Sequence, residues 1–209
     1  MTSEGTEILS KKDLEDVLST SIGGFGVWNE ETSGTSVQVE SFKVTSLVKP
    51  GDNYASKIMA VDVTLAENHR RLSLVAKLVP QSEALKQMLN SSTIFEKEIS
   101  FYSLILPRLD EIQRERRLPT RELVDIFPTY YGSRSPGDGT FVLLIENLKP
   151  LGYKMANRVS GLDLDHLTLV VSQMARFHAL GVAVKIQKPL IFRNMVKETI
   201  PPPSPQEVG

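Results

Sequence analysis

Apolar residues recur along this chain with two different periods, and the alternation between them outlines a fold. Leu9 to Leu18 places them at helical spacing behind Ser10, a residue able to cap the start, which predicts a short leading helix. Gly23, Gly24 and Gly26 then mark a turn. Three stretches of strand character follow, Ser36 to Val48, Ser56 to Leu65 and Leu72 to Val79, broken at Pro50-Gly51-Asp52-Asn53 and at Glu67-Asn68-His69-Arg70. Connections this short predict an antiparallel meander. Gln81 to Asn90 reads as a short helix and Thr93 to about Arg117 as a long one, opened by a capping box of Thr93 with Glu96 and kinked or divided at Pro107. Phe127 to Tyr131 and Thr140 to Ile145, on either side of the turn Ser135 to Gly139, bring the total to about five strands with a helix inserted after the third. The fold class expected is therefore α+β.

Beyond Glu146 the period returns to that of a helix. Asp163 to Lys185 carries Leu164, Leu167, Val170, Val171, Met174, Phe177, His178 and Gly181 on one side, a face that needs a partner to cover it. Pro201-Pro202-Pro203-Ser204-Pro205 predicts an extended or disordered end. The resulting division is a leading helix at 1–20, a lobe of sheet and helix at 21–147, the start of a helical lobe at 148–195 and a proline-rich tail at 196–209.

Composition narrows the classes of function. Twenty-four Lys and Arg against 25 Asp and Glu leave a net charge of -1, so no basic surplus points to nucleic acid or to an anionic membrane. The absence of cysteine removes disulfides, thiol catalysis and cysteine-ligated metals. Met1 to Leu18 has no apolar segment of the secretory type, and Phe141 to Ile145, the densest apolar run, is too short to span a bilayer. A soluble cytoplasmic protein is expected.

Candidate chemistry begins with Lys77. The two-residue period of its strand gives it the face shared with Ser73, Val75 and Val79. A lysine there is either a gatekeeper on an edge strand or a partly desolvated ammonium that meets phosphate oxygens. Glu98 lies between Ile94, Tyr102 and Ile105 on the stripe of the long helix, while Glu96 and Lys97 face solvent. A charge on such a stripe is costly unless it is paired or reaches water at the edge, and Lys77 is the nearest cation needing a partner. The loop from Pro50 to Ser56 is a plain hairpin or, through the backbone around Gly51 and Asn53 and the Ser56 hydroxyl, a phosphate cradle. Phe141 to Ile145 runs directly into Glu146-Asn147-Leu148, a place where extended backbone can meet the edge of a base. His178, on the apolar face of its helix, is expected to be a core histidine, His166 to be on the surface, and Arg114, Arg116, Arg117 and Arg121 to be a solvated helix end.

Together these segments resemble the insect ecdysteroid kinase-like family, also called CHK kinase-like, which is related to choline kinases and aminoglycoside phosphotransferases. The resemblance rests on Pro50 to Ser56, Val75-Ala76-Lys77, Phe95 to Tyr102, Leu143 to Leu148 with Gly152-Tyr153, and Gly161-Leu162-Asp163 leading to Ala175-Arg176-Phe177-His178-Ala179. It implies a protein-kinase-like N-lobe, a five-stranded antiparallel sheet with its C-helix, followed by an incomplete helical C-lobe. It also implies ATP-dependent transfer of phosphate to a hydroxyl of a small-molecule acceptor, ecdysteroid-like or choline-like. On that analogy Lys77 holds phosphates, Glu98 orients Lys77, Gly51, Asn53 and Ser56 cover the phosphates, and Glu146 and Leu148 belong to the adenine hinge.

Relatives carry a His-Gly-Asp segment and a later aspartate that supply the base and the Mg2+ ligands. The three histidines here are followed two residues on by Arg71, Thr168 and Leu180, so the chain contains no His-x-Asp. No catalytic residue and no metal ligand are assigned in it, and truncation before the catalytic loop is the expectation. Three readings stay open: the front of a small-molecule kinase inactive by itself, a pseudokinase-type nucleotide or partner binder that self-associates through the apolar face at 163–185, and an unrelated α+β domain.

Overall fold

A computed structural model describes residues 9–20, 36–47, 56–79, 91–134, 141–157 and 159–199. Gly51 and Asn53, the helix expected at Gln81 to Asn90, the glycines at 23–26 and the end from residue 200 lie outside the described residues. The chain divides into two compact units, Met1–Ile99 with Pro128–Gly152, and Ser100–Phe127 with Tyr153–Gly209.

The first unit is an antiparallel sheet under a helix. Helix α1 (Lys11–Thr20) starts from the cap expected of Ser10: its Oγ accepts from the Asp13 N–H at 3.1 Å, and Asp13 accepts in return from the Ser10 N–H at 2.9 Å. Strands β1 (Val39–Ser46), β2 (Lys57–Leu65), β3 (Arg71–Leu78), β4 (Tyr130–Arg134) and β5 (Val142–Glu146) pair in the order β1-β2-β3-β5-β4, which makes β3 the central strand. One face of the sheet is the core. Alternate residues Met59, Val61, Val63, Leu72, Leu74, Ala76, Val142 and Leu144 pack against Leu14, Val17 and Leu18 of α1. Ser19 and Glu15 of α1 accept from the N–H groups of Val37 and Val39, so the helix also satisfies the outer strand where it begins.

The fourth strand begins three residues later than the period predicts. Pro128 has no N–H to give to a ladder, and a bulge between Tyr130 and Gly132 restores the register only beyond it. Gly132 takes φ 134°, a conformation closed to residues with a Cβ.

Arg134 on β4 closes the unit by pairing with Asp13 at 2.5 Å. Burial pushes the Asp13 carboxyl up, but the Ser10 hydroxyl and N–H and the Arg134 guanidinium outweigh it and leave the group below its ordinary value. A carboxylate with a lowered folded-state value stabilises above its unfolded value and loses that contribution as pH falls through the folded one. The difference in urea midpoint between the wild type and Asp13→Asn should therefore be constant near neutrality and shrink below about pH 4. A difference independent of pH would mean that the pair contributes nothing.

The long helix is one continuous run with a π-helical segment inside it. Helix α2 (Ser91–Ser100) passes into a π turn at Phe101–Ile105 and then into α3 (Leu106–Glu115). Pro107 cannot donate to the carbonyl four residues back and its ring crowds that carbonyl, and the wider turn just before it absorbs the conflict, with the Leu106 N–H bonded five residues back to Phe101. Because the helix already runs from Ser91, Thr93 is inside its first turns and not at its cap.

In the second unit α3 packs with α4 (Leu164–Gln187) and α5 (Pro189–Thr199) through Leu109, Ile112, Val184 and Met195. Phe101, Phe127 and Phe177 form an edge-to-face cluster with centroids 5.1–6.1 Å apart. Gln113 is buried and bonds both backbone groups of Val124. Helix α5 begins with proline at its first position, the signal that could have revealed it, and runs to Thr199, four residues into the stretch expected to be extended. Asp163 caps α4 by accepting from the His166 N–H at 2.8 Å. The predicted face of α4 is largely open, with Leu164 76% exposed, and His178 on it is exposed too, not a core residue. By length and composition α4 is also long and apolar enough to cross a bilayer, which Phe141 to Ile145 is not.

Candidate functional site

The face of the sheet opposite α1 carries the candidate chemistry. Residues there are Ile58 and Ala60 on β2, Ser73, Val75 and Lys77 on β3, and Leu143 and Ile145 on β5, with Lys77 paired to Ile58 and to Leu143. Lys77 is thus on the central strand. The edge-strand role that a lysine in such a strand often has does not apply.

Helix α2 covers one end of this face. Phe95 is buried against Phe141 and Val79, with Ile99 packed beside them. The expected stripe through Ile94 is displaced by one residue, since Ile94 is 50% exposed and Phe95 2%. The extra residue of the π turn shifts the helical phase beyond Glu98, so Tyr102 and Ile105 do not continue the line of Ile94 and Glu98. With Phe95 and Ile99 as the packed residues, Glu98 sits at the margin of the stripe, while Glu96 and Lys97 are exposed as expected.

Glu98 meets Lys77. The ammonium donates to both carboxylate oxygens, at 2.5 and 2.6 Å, with the two side chains only 22% and 27% exposed. Such a pair is charge-assisted and held from both sides, the lysine by its central strand and the glutamate by a helix anchored at Phe95. Beside it Ile58, Ala60, Val75 and Ile145 form an apolar floor that is only partly buried. An ammonium fixed next to an open apolar floor suits a ligand with a flat apolar part and an anionic part.

The end of β5 lies three residues along the ladder from the level of Lys77, about 10 Å. Glu146 donates its N–H to Thr129 O at 2.8 Å, and its carboxylate accepts from the Thr129 hydroxyl at 2.9 Å. Asn147 donates its N–H to Ser73 O at 3.0 Å. Leu148 opens a single 3-10 turn, Lys149–Leu151, and its carbonyl accepts from the Leu151 N–H at 3.1 Å, so that acceptor is already engaged. Ser56 immediately precedes β2, whose Lys57 pairs with Leu78, the neighbour of Lys77. Lys77 and Glu98 are therefore brought into contact, Glu146 and Leu148 stand at the far side of the floor, and Gly51 and Asn53 lie outside the described residues.

The fixed ammonium suits an anionic group. Among the described residues no three His, Cys, Asp or Glu side chains cluster as ligands would. His166 donates its Nδ1–H to the Asp163 carboxylate at 2.7 Å, and Arg114 pairs with Asp110 at 2.6 Å. Both pairs are local, joining residues three or four apart in sequence.

The model of the ecdysteroid kinase-like family matches residues 50–208. No protein of curated function and no solved structure matches the sequence.

Proposed function

The chain belongs to the ecdysteroid kinase-like family, kinase-like small-molecule phosphotransferases, and from that premise we propose that it binds ATP on the open face of its sheet without itself transferring phosphate. The observation that carries this reading is the pairing of Lys77, on the central strand, with Glu98 of α2 beside the floor of Ile58, Ala60, Val75 and Ile145. The adenine ring rests on the floor, with its edge toward Glu146 to Leu148. The phosphates reach Lys77, with Ser56, just before β2, at the same end of the floor. The ten or so ångströms between the end of β5 and Lys77 leave room for the base and sugar.

Mg2+ would travel with the nucleotide phosphates, where it would neutralise charge and orient them for transfer. The second half of the proposal follows from what the 209 residues contain. No His-x-Asp occurs among them, so they supply neither the base nor the metal-binding aspartate of that arrangement. The acceptor class proposed for the family's reaction here is a hydroxyl on a small molecule.

Thermal unfolding with increasing MgATP tests the first half. A ligand that binds only the native state stabilises it by mass action, by about 2.7 kcal/mol at a hundred times its Kd. The melting temperature should rise with the logarithm of nucleotide concentration and not level off once the site is filled. A chain that melts at one temperature with and without millimolar MgATP would sink the proposal. Phosphate release and transfer to sterol or choline-like alcohols should stay at background, and turnover would overturn the second half.

A further inference from the structure

Two polar side chains are buried among the described residues, Gln113 and Asn147. Gln113 serves the second unit by clamping Val124. Asn147, 8% exposed, serves no strand or helix: it follows the last residue of β5, where the chain is leaving the sheet. Its side chain is nonetheless fully directed. The amide Nδ2 donates to the Ser73 hydroxyl at 3.2 Å, and Oδ1 accepts from the Lys149 N–H at 3.1 Å. Ser73 passes its own proton to Asp62 at 2.9 Å, so the chain of donors runs Asn147 to Ser73 to Asp62. Neither leucine nor aspartate could make both Asn147 bonds.

The bond to Lys149 is an Asx turn, in which a side chain oxygen takes the N–H two residues on and bends the chain. Its effect on the neighbouring backbone is selective. The N–H groups of Glu146, Asn147 and Lys149 are used by Thr129 O, Ser73 O and Asn147 Oδ1. The Leu148 N–H makes no hydrogen bond among the described residues, although Leu148 is partly buried. A backbone N–H that no protein group takes is open to water or to a ligand acceptor.

We propose that Asn147 is a positioning residue that sets base selectivity, its Asx turn braced on Ser73 leaving the Leu148 N–H as a donor to an acceptor nitrogen of a purine ring. The inference rests on the nucleotide reading above and adds a discrimination to it. Adenine offers a bare ring nitrogen at its Watson–Crick edge, where hypoxanthine carries a hydrogen. A fixed donor favours the first and opposes the second.

The test measures ATP, ITP and inorganic triphosphate binding, each with Mg2+, to the wild type, Asn147→Ala and Ser73→Ala. The wild type should prefer ATP over ITP by roughly three- to tenfold, the worth of one ordinary hydrogen bond. Both variants should lose most of that preference while binding triphosphate, which reads Lys77 alone, as the wild type does. Ser73→Ala removes only the brace and guards against an Asn147→Ala that fails to fold. An ATP-to-ITP ratio unchanged in the variants overturns the proposal, as does an equal fall for all three ligands, which marks general loosening. A wild type that binds triphosphate and both nucleotides alike also overturns it but leaves Lys77 its role, whereas one that binds none of the three overturns the nucleotide reading itself.

Discussion

Lys77→Met should lower ATP affinity roughly ten- to a hundredfold, the range expected for losing a hydrogen bond to a charged group. Methionine keeps most of the apolar stem, so the packing against Ile58 and Leu143 survives and the loss is that of the ammonium. Glu98→Gln should cost less, because an amide still accepts one hydrogen bond from Lys77 while the charge that fixes the ammonium is gone. The order of the two effects separates direct contact from orientation. If Glu98 acts on the nucleotide only through Lys77, the double variant will fall no further than Lys77→Met, a coupling that a mutant cycle reads directly. Titration calorimetry of the four proteins checks it. A Lys77→Met protein that binds ATP as tightly as the wild type would remove the lysine from the site. Stability should fall by only about 1–2 kcal/mol in Lys77→Met, since Glu98, left without its cation, can still turn toward water.

That pair was legible in the sequence because each member is misplaced alone. Lysine on a face shared with valines and glutamate near an apolar helical stripe are both unfavourable, and each supplies what the other lacks. The strand order that decides against an edge role for Lys77 was not legible. It depends on β5 entering between β3 and β4, a non-local pairing that periodicity does not encode. The phase of the long helix was lost for a local reason. Pro107 announces a disturbance, but whether a helix answers with a kink, a break or a π turn depends on the packing on either side. The same applies to β4, where Pro128 and Gly132 signal trouble in the ladder but not the residue at which pairing resumes. The segment holding Asn147 was legible but the bracing of its side chain was not, since an asparagine after a strand reads as an ordinary turn residue and its burial is visible only once Ser73 is beside it.

Phe95→Ala should be the most destabilising single change near the site, by about 3–5 kcal/mol, for removing a fully buried phenylalanine whose cavity cannot readily collapse. Its ring is packed between Val79 at the end of β3 and Phe141 at the start of β5, with centroids 6.1 Å apart for the aromatic pair. The helix can close the gap only by sliding, and sliding moves Glu98, one turn on, away from a lysine fixed to the central strand. The variant should therefore lose ATP affinity as well as stability, although Phe95 has no place among the groups proposed to meet ATP. Ile94→Ala is the control that distinguishes the observed helix phase from the one the bare spacing suggests. At 50% exposure Ile94 should cost well under half as much and leave ATP binding unchanged. Urea unfolding gives the first quantity and calorimetry below the unfolding transition the second. Equal losses at positions 94 and 95 would mean that α2 does not anchor through Phe95, and the placement of Glu98 would need another cause. If Phe95→Ala destabilised fully but kept wild-type affinity, the Lys77–Glu98 pair would be holding the helix, and not the helix the pair.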